Sequence, residues 1–310
     1  MEPRFVHKPV MAAEVAEALR LKANGVFLDA TVGGGGHAAL ILAGSSPNGW
    51  LYGCDRDSDA VEAARQRLAE FAGRFELRQA NFAQLRDWVP GGSCDGALFD
   101  LGISSPQLDR PERGFSFQAD GPLDMRMDRR QEQTAARLVN AASAEELARI
   151  FWEFGGERES RRLARAIVKA REQGRIETTR QLAEIIEKLS PRRGRKTHPA
   201  TKVFQALRIA VNDETGSLKI GLAGAMELLK AGGRLAVITF HSQEDRIVKE
   251  FARTRARDYA VKGEVDVPEL REPRRPELRL ITRKALQPSA AEMAENPRSR
   301  SAQLRVMEKI

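Results

Sequence analysis

Four consecutive glycines, Gly33 to Gly36, stand between a short apolar run and an apolar helical segment. Glycine loses more backbone freedom on ordering than any other residue, so four in a row beside core-forming segments mark a backbone that bends sharply or approaches another group without Cβ atoms. Residues 26–30 ahead of the run read as a short buried strand with Asp29 near its end, and residues 37–42 behind it read as a helix. A strand, a glycine turn and a helix N-terminus in that order make a cradle for a ligand, because free N–H groups open the helix.

The alternation continues. Residues 50–54 form a second strand closing on Asp55, and residues 58–71 carry Val61, Ala64, Leu68 and Phe71 at helical spacing. Residues 75–79 are a third strand, and residues 95–100 a fourth that ends on Asp100. Strands alternating with helices predict a parallel sheet covered on both faces. From about residue 106 to 199 the text turns helical, charged and arginine-rich, with helices at 144–153, 157–173 and 179–189 and no strand. Thr178 and Thr179 cap the third of these. Helices at 201–212 and 217–229 follow, then a Gly232-Gly233 turn, a fifth strand at 234–240 and a helix at 243–255. Residues 266–276 read as a loop, and two alternating strands at 277–284 and 302–308 form a hairpin-like edge pair. Seven strands result. The expected division is one discontinuous α/β domain, residues 1–108 and 200–310, with residues 109–199 as an inserted all-helical, substrate-recognising domain.

The glycine loop alone admits two cofactor classes. Gly33, Gly35 and Ala38 satisfy the nicotinamide fingerprint as well. Asp29 separates them: a pyrophosphate brings negative charge to this loop, whereas the amino group of a methionine tail is cationic and suits a carboxylate. Asp55, about twenty residues past the loop, is placed to accept both ribose hydroxyls of an adenosine, and Phe82 after the third strand to wall the adenine. Asp100 closes the fourth strand, at the carboxyl edge of the sheet where open α/β folds place their chemistry. The loop after it, with Ser105 and Gln107, borders a substrate; Asp100 and Ser105 are the candidate catalytic residues. S-adenosylmethionine is therefore the expected cofactor. The fold class is that of class I S-adenosylmethionine-dependent methyltransferases: α/β, Rossmann-like, with a seven-stranded, mostly parallel sheet and an inserted helical domain.

Lys and Arg number 51 against 43 Asp and Glu, a net charge of +8. That balance favours a polyanionic partner. Arg161, Arg162, Arg165 and Lys169 share overlapping helical faces, Arg192, Arg193, Arg195 and Lys196 form a loop cluster, and Arg298 and Arg300 add a third. Phe115 and Phe117 are candidates for stacking on a flipped base or for sealing the helical domain, and His198 and His241 for lining the site. The two cysteines, Cys54 and Cys94, form no C-x-x-C pair, so neither a metal site nor a disulfide is expected. Neither is placed for the thiolate attack that carbon-5 methylation of a pyrimidine needs. No apolar run approaches the ~18 residues of a membrane span, and the charged residues 1–9 hold no signal-peptide core. The expected location is the cytoplasm.

Several strings taken together resemble the bacterial small-subunit (16S) ribosomal RNA cytosine-N4-methyltransferases, over nearly the whole chain. They are His7-Lys-Pro-Val-Met11, Asp29-Ala-Thr-Val-Gly-Gly-Gly-Gly-His37, Asp55-Arg-Asp57, Asp100-Leu-Gly-Ile-Ser-Ser-Pro-Gln-Leu-Asp109, residues 113–128, Gly156-Glu-Arg158, residues 198–212, residues 240–245 and residues 296–301. The resemblance implies methylation of the exocyclic N4 amine of one cytosine near the decoding centre, with 16S ribosomal RNA or the small ribosomal subunit as partner. It carries cofactor contacts onto Gly35, Gly36, His37, Asp55, Phe82, Asp100 and Gln107. A non-catalytic RNA-binding factor for ribosome assembly on a vestigial cofactor fold is the alternative. The residues do not decide between monomer and homodimer.

Overall fold

A computed structural model describes residues 9–190, 198–263 and 265–310. It resolves into two compact units, one comprising the chain up to Gly102 together with Thr215–Ile310, the other Ile103–Glu214. In the first unit α1 (Ala12–Leu19) leads into β1 (Val26–Asp29), α2 (Gly36–Gly44), β2 (Trp50–Asp55), α3 (Ser58–Arg67), β3 (Phe75–Gln79) and β4 (Cys94–Asp100). The second unit holds α4 (Ser105–Asp109), α5 (Ala135–Ala141), α6 (Ala144–Gly155), α7 (Ser160–Arg171), α8 (Thr179–Leu189) and α9 (Ala200–Asn212). The chain then runs through α10 (Glu214–Leu228), β5 (Leu229–Thr239), α11 (Ser242–Arg255), β6 (Tyr259–Val261), β7 (Arg271–Pro273), β8 (Leu278–Leu280), α12 (Ala290–Glu295) and β9 (Gln303–Lys309).

Seven strands form one sheet in the order β3-β2-β1-β4-β5-β9-β8. The first five are mutually parallel, and β9 runs antiparallel between β5 and β8. Strands β1, β4 and β5 are apolar on consecutive residues because both faces are covered. Phe27, Leu98 and Ala236 enter the core beneath α1, α2 and α3, while Leu28, Phe99 and Val237 enter the one beneath α10 and α11. The expected seven-stranded, mostly parallel architecture is what the chain adopts.

Details differ from the sequence reading. The fifth strand starts early, at Leu229, and absorbs Gly232-Gly233 in a register shift: Cys94 faces Leu229, while Gly96 faces Arg234. The stretch expected as loop contains β7, which pairs with β6, and Asp266 gathers Arg257, Tyr259 and Arg271 between them. Ionic partners, rather than an apolar pattern, organise that hairpin, which is why periodicity did not reveal it.

The second unit is helical, with no named strand among its described residues. Leu147 and Phe151, Leu163 and Ile167, Leu182 and Ile186, and Val203 and Leu207 are pairs at i, i+4 that meet in its core. The last pair lies in α9, which the sequence reading gave to the α/β domain. Ala200, Val203, Phe204, Ala206, Leu207 and Val211 all bury in the helical core, so the compact units divide after Gly102 and after Glu214 rather than at 108 and 199. Asn212 anchors the segment 113–128 by accepting from the Met127 N–H at 2.8 Å and donating to the Met125 carbonyl at 2.8 Å. No helix among the described residues is long and apolar enough to cross a membrane.

Candidate active site

The chain leaves β1 toward β2 and β3 on one side, and leaves β4 toward β5 on the other, although β1 and β4 are neighbours. A crevice therefore opens beyond their carboxyl ends, the topological switch point where α/β sheets bind ligands. Asp29 closes β1, Asp55 closes β2 and Asp100 closes β4.

The glycine loop is tied to these carboxylates. The Gly33 N–H donates to Asp55 Oδ2 at 3.0 Å, and the Asp57 N–H to Asp55 Oδ1 at 2.9 Å. Each Asp55 oxygen keeps a lone pair for a further donor. The Thr31 N–H donates to Asp29 Oδ1 at 3.2 Å, and the Thr31 hydroxyl accepts from the Asp100 N–H at 2.7 Å, locking the end of β4 to the loop after β1. Thr31 is a positioning residue that the sequence reading passed over; its signal was its place two residues beyond a strand-ending aspartate. Gly35 has φ +78°, and a Cβ there would stand 3.1 Å from the Ala64 Cα of α3. Only glycine satisfies both constraints at that point.

Unmet polarity gathers here. Asp29 is 1% exposed and His37 5%, and Asp29 Oδ2, both His37 ring nitrogens and Asp100 Oδ1 are buried without a hydrogen-bond partner. Buried polar groups are nearly always paired, and leaving one unpaired costs about 1–3 kcal/mol. His37 Nε2 stands 3.6 Å from Asp100 Oδ2, just beyond hydrogen-bonding distance. Burial pushes the Asp29 carboxyl up to about 7, with His37 and the Thr31 N–H pulling the other way. Burial also raises Asp55, against the N–H groups of Asp57 and Gly33. For His37 burial opposes the charge, but Asp100 and Asp29 outweigh it and the net direction is upward. The crevice thus presents three carboxylates and one imidazole awaiting a cationic, hydrogen-bonding ligand.

Phe82 is half-buried, packed edge-on against Phe99 with centroids 5.5 Å apart and with the Arg56 guanidinium 5.5 Å from its own centroid. Ser105 and Gln107 fall in α4 of the second unit, where the Gln107 side chain caps the helix by accepting from the Ser104 N–H at 3.0 Å. Phe115 is 7% exposed and part of the helical core; Phe117 packs on His198 and Phe204. Both phenylalanines thus seal the second unit. His241 caps α11, its Nδ1 accepting from the Glu244 N–H at 3.4 Å and its Nε2 lying 3.0 Å from Glu244 Oε1. His198 accepts from the Ala200 N–H at 3.1 Å. Cys54 is fully buried, and burial holds its thiol well above its usual range. Burial likewise raises Cys94, which opens β4 at the opposite end of the strand from Asp100. Arg161, Arg165 and Lys169 are exposed along α7, and Arg298 and Arg300 are exposed near the C-terminus. The cluster at 192–196 and His7 lie outside the described residues.

This sheet order, with a glycine loop and acids ending β1, β2 and β4, defines a class I methyltransferase. The methyl donor of that class is S-adenosylmethionine, and the crevice fits it: the unpartnered Asp29 oxygen suits an ammonium, and Asp55 suits ribose hydroxyls. A nicotinamide cofactor would bring its pyrophosphate to three carboxylates. The model of the MraW methylase family matches residues 4–310, and the chain belongs to that family. It is 50% identical to the ribosomal RNA small subunit methyltransferase H of Geobacter sp. (strain M21), covering 99% of both chains. It is 51% identical to the protein of that name from Citrifermentans bemidjiense, again over 99% of both, and 50% identical to that from Symbiobacterium thermophilum, over 99% of this chain and 97% of the relative.

Proposed function

We propose that this chain transfers the methyl group of S-adenosylmethionine to the exocyclic N4 amine of a cytosine in small-subunit ribosomal RNA. The observation that carries the catalytic half is the cluster of unsatisfied buried atoms on Asp29, His37 and Asp100 at the switch point. A fold serving only as an RNA-binding scaffold has no reason to keep a carboxylate destabilised by burial. Names borne by relatives at about 50% identity support the RNA half.

Within this reading Asp29 holds the ammonium of the cofactor, Asp55 the ribose, and Gly35, Gly36 and His37 the open end of α2. Phe82 contributes an apolar wall. The bound cofactor supplies an electrophilic methyl group on a sulfonium. An exocyclic amine is a weak nucleophile, because its lone pair is delocalised into the base. Asp100 accepts from its N–H as the nitrogen gains positive character, which favours that step over reaction at other atoms. Ser105 and Gln107 follow Asp100 in the chain, on α4 of the second unit. The buried, protonated state of Cys54 and Cys94 supports amine rather than carbon-5 chemistry, which requires a thiolate.

The test is transfer of labelled methyl from S-adenosylmethionine to small-subunit ribosomal RNA from a strain lacking the enzyme, followed by digestion to nucleosides. Label in N4-methylcytidine is expected. Label in 5-methylcytidine, or on protein alone, overturns the assignment.

A further inference from the structure

We propose that the first unit carries an anion pocket, separate from the cofactor crevice, that holds a phosphate group of the RNA strand; the proposal rests on RNA being the substrate. A small cavity of about 50 Å³, partly open to solvent, lies where α11 meets β8 and β9. Lys249, Arg253 and Arg283 line it, all exposed. Its floor is apolar, from Ala252, Leu280 and Met307.

The charges are unbalanced. Arg305 also lines the cavity, but its guanidinium is met by Asp245, Nε to Oδ1 at 2.7 Å and a terminal nitrogen to Oδ2 at 3.1 Å. No ion pair involves Lys249, Arg253 or Arg283 among the described residues. No acidic side chain lines the cavity. Three exposed cations from two separate elements gather there without a counter-charge, a local positive potential that attracts an anion. Thr282 adds a donor: its Oγ1 accepts from the Val306 N–H at 2.9 Å, and that bond leaves the hydroxyl hydrogen unused. Cations and a hydroxyl beside an apolar floor match the size and charge of a phosphate group.

The location suits a second anchor rather than a part of the catalytic crevice. Val306 and Met307 pair with Ala236 and Leu235 in the middle of β5, whereas Asp100 pairs with Ile238 nearer its carboxyl end. Strand β8 is three strand spacings from β4, roughly 15 Å across the sheet. An RNA strand with one base at the carboxyl edge could thus place a neighbouring phosphate here.

The test is the full-length double variant K249E/R283E, with K249R/R283K as the charge-preserving control and thermal melting as the check on folding. The RNA is small-subunit ribosomal RNA from a strain lacking the enzyme, bound in a fluorescence assay over a range of salt. The charge reversal is expected to weaken RNA binding roughly tenfold, flatten the salt dependence by about one in slope, and raise KM for RNA. The control, the affinity for S-adenosylhomocysteine and kcat at saturating RNA should stay at the parent's values. RNA affinity and salt slope unchanged in a folded charge-reversal variant overturn the proposal. Binding of inorganic phosphate that the variant alone loses, with RNA affinity intact, also overturns it and assigns the pocket to a free anion. If RNA binds but no methyl group is transferred, the substrate reading fails, and the binding comparison still decides the pocket.

Discussion

Two aspartates at opposite ends of the central strands have received opposite treatment from the fold. Asp95, near the start of β4, accepts from the Val26 N–H at 2.8 Å and is met by Lys22 and Lys230 at 2.9 and 3.0 Å. Burial alone would raise its pKa, but these donors outweigh it and lower it. Asp29, at the end of β1, keeps one oxygen without a partner and is pushed up to about 7 by burial. Both stand on neighbouring strands of one sheet. Where the fold only needs to hold together, a carboxylate is fully satisfied; where a ligand is to arrive, the carboxylate is left wanting. Among the described carboxylates, the two with a buried unpartnered oxygen, Asp29 and Asp100, both stand at the carboxyl ends of the strands.

The strongest way to break this contrast is to remove Asp100. D100A should lower kcat/KM for RNA methylation by about 10²–10⁴-fold, the range for a group that handles a proton at the reacting atom. Melting should change little, since the Thr31 hydroxyl is held by the Asp100 N–H and not by its side chain. Activity within threefold of the parent places the chemistry elsewhere.

D55A should weaken S-adenosylhomocysteine binding roughly 100-fold, because hydrogen bonds to a charged acceptor contribute about 1.5–3 kcal/mol each. It should also lower the melting temperature, since the Gly33 and Asp57 N–H groups lose their acceptor. Calorimetry showing unchanged affinity removes Asp55 from the site.

D29N sharpens the comparison through pH. The folded carboxyl near 7 lies above its ordinary value of 3.8, so between about pH 4 and 7 the folded, ligand-free state binds the extra proton. Stability from this group therefore falls as pH rises through that window, by a ceiling on the order of 4 kcal/mol. His37, raised as well, acts in the same direction. D29N should flatten the decline and melt higher than the parent at pH 8 without ligand. Its affinity for S-adenosylhomocysteine should fall about tenfold at pH 8, since the ammonium loses a charge-assisted hydrogen bond. The parent's own affinity should weaken as pH drops through 7, where Asp29 becomes neutral. A parent profile flat across that range, measured by calorimetry, refutes Asp29 as the ammonium partner.

The acids at the strand ends were legible because strand periodicity and chain position together place a residue at the carboxyl edge, whatever the tertiary detail. Asp29, Asp55 and Asp100 needed nothing more. The partners of those acids were not legible. That His37 would come within 3.6 Å of Asp100 depends on how α2 packs over β1 and β2, and that Thr31 would clasp the Asp100 N–H depends on a loop and a strand end 69 residues apart. Phe115 and Phe117 show the converse limit: an aromatic in a loop-like string reads equally as a base platform or as packing, and only burial separates them. The edge of the helical unit was misplaced because α9 is amphipathic wherever it packs, and its periodicity carries no record of which core its apolar face enters.

The smallest effect should come from the satisfied end of the sheet, and it tests the contrast from the other side. D95A leaves the Val26 N–H without its acceptor, which costs about 1–2 kcal/mol. The lysines add little, because Lys22 and Lys230 are 62% and 43% exposed and relax into water. A fall of a few degrees in melting temperature is expected. Cofactor affinity and kcat should be unchanged, since Asp95 sits at the amino ends of the strands. The pH signature should also be the reverse of Asp29's. A carboxyl lowered by its partners contributes stability above about pH 4, lost as pH falls through its folded value, so D95A should narrow its deficit in acid. A D95A enzyme that melts like the parent but binds cofactor poorly would mean that the two ends of the sheet are coupled, and that unmet polarity alone does not locate the site.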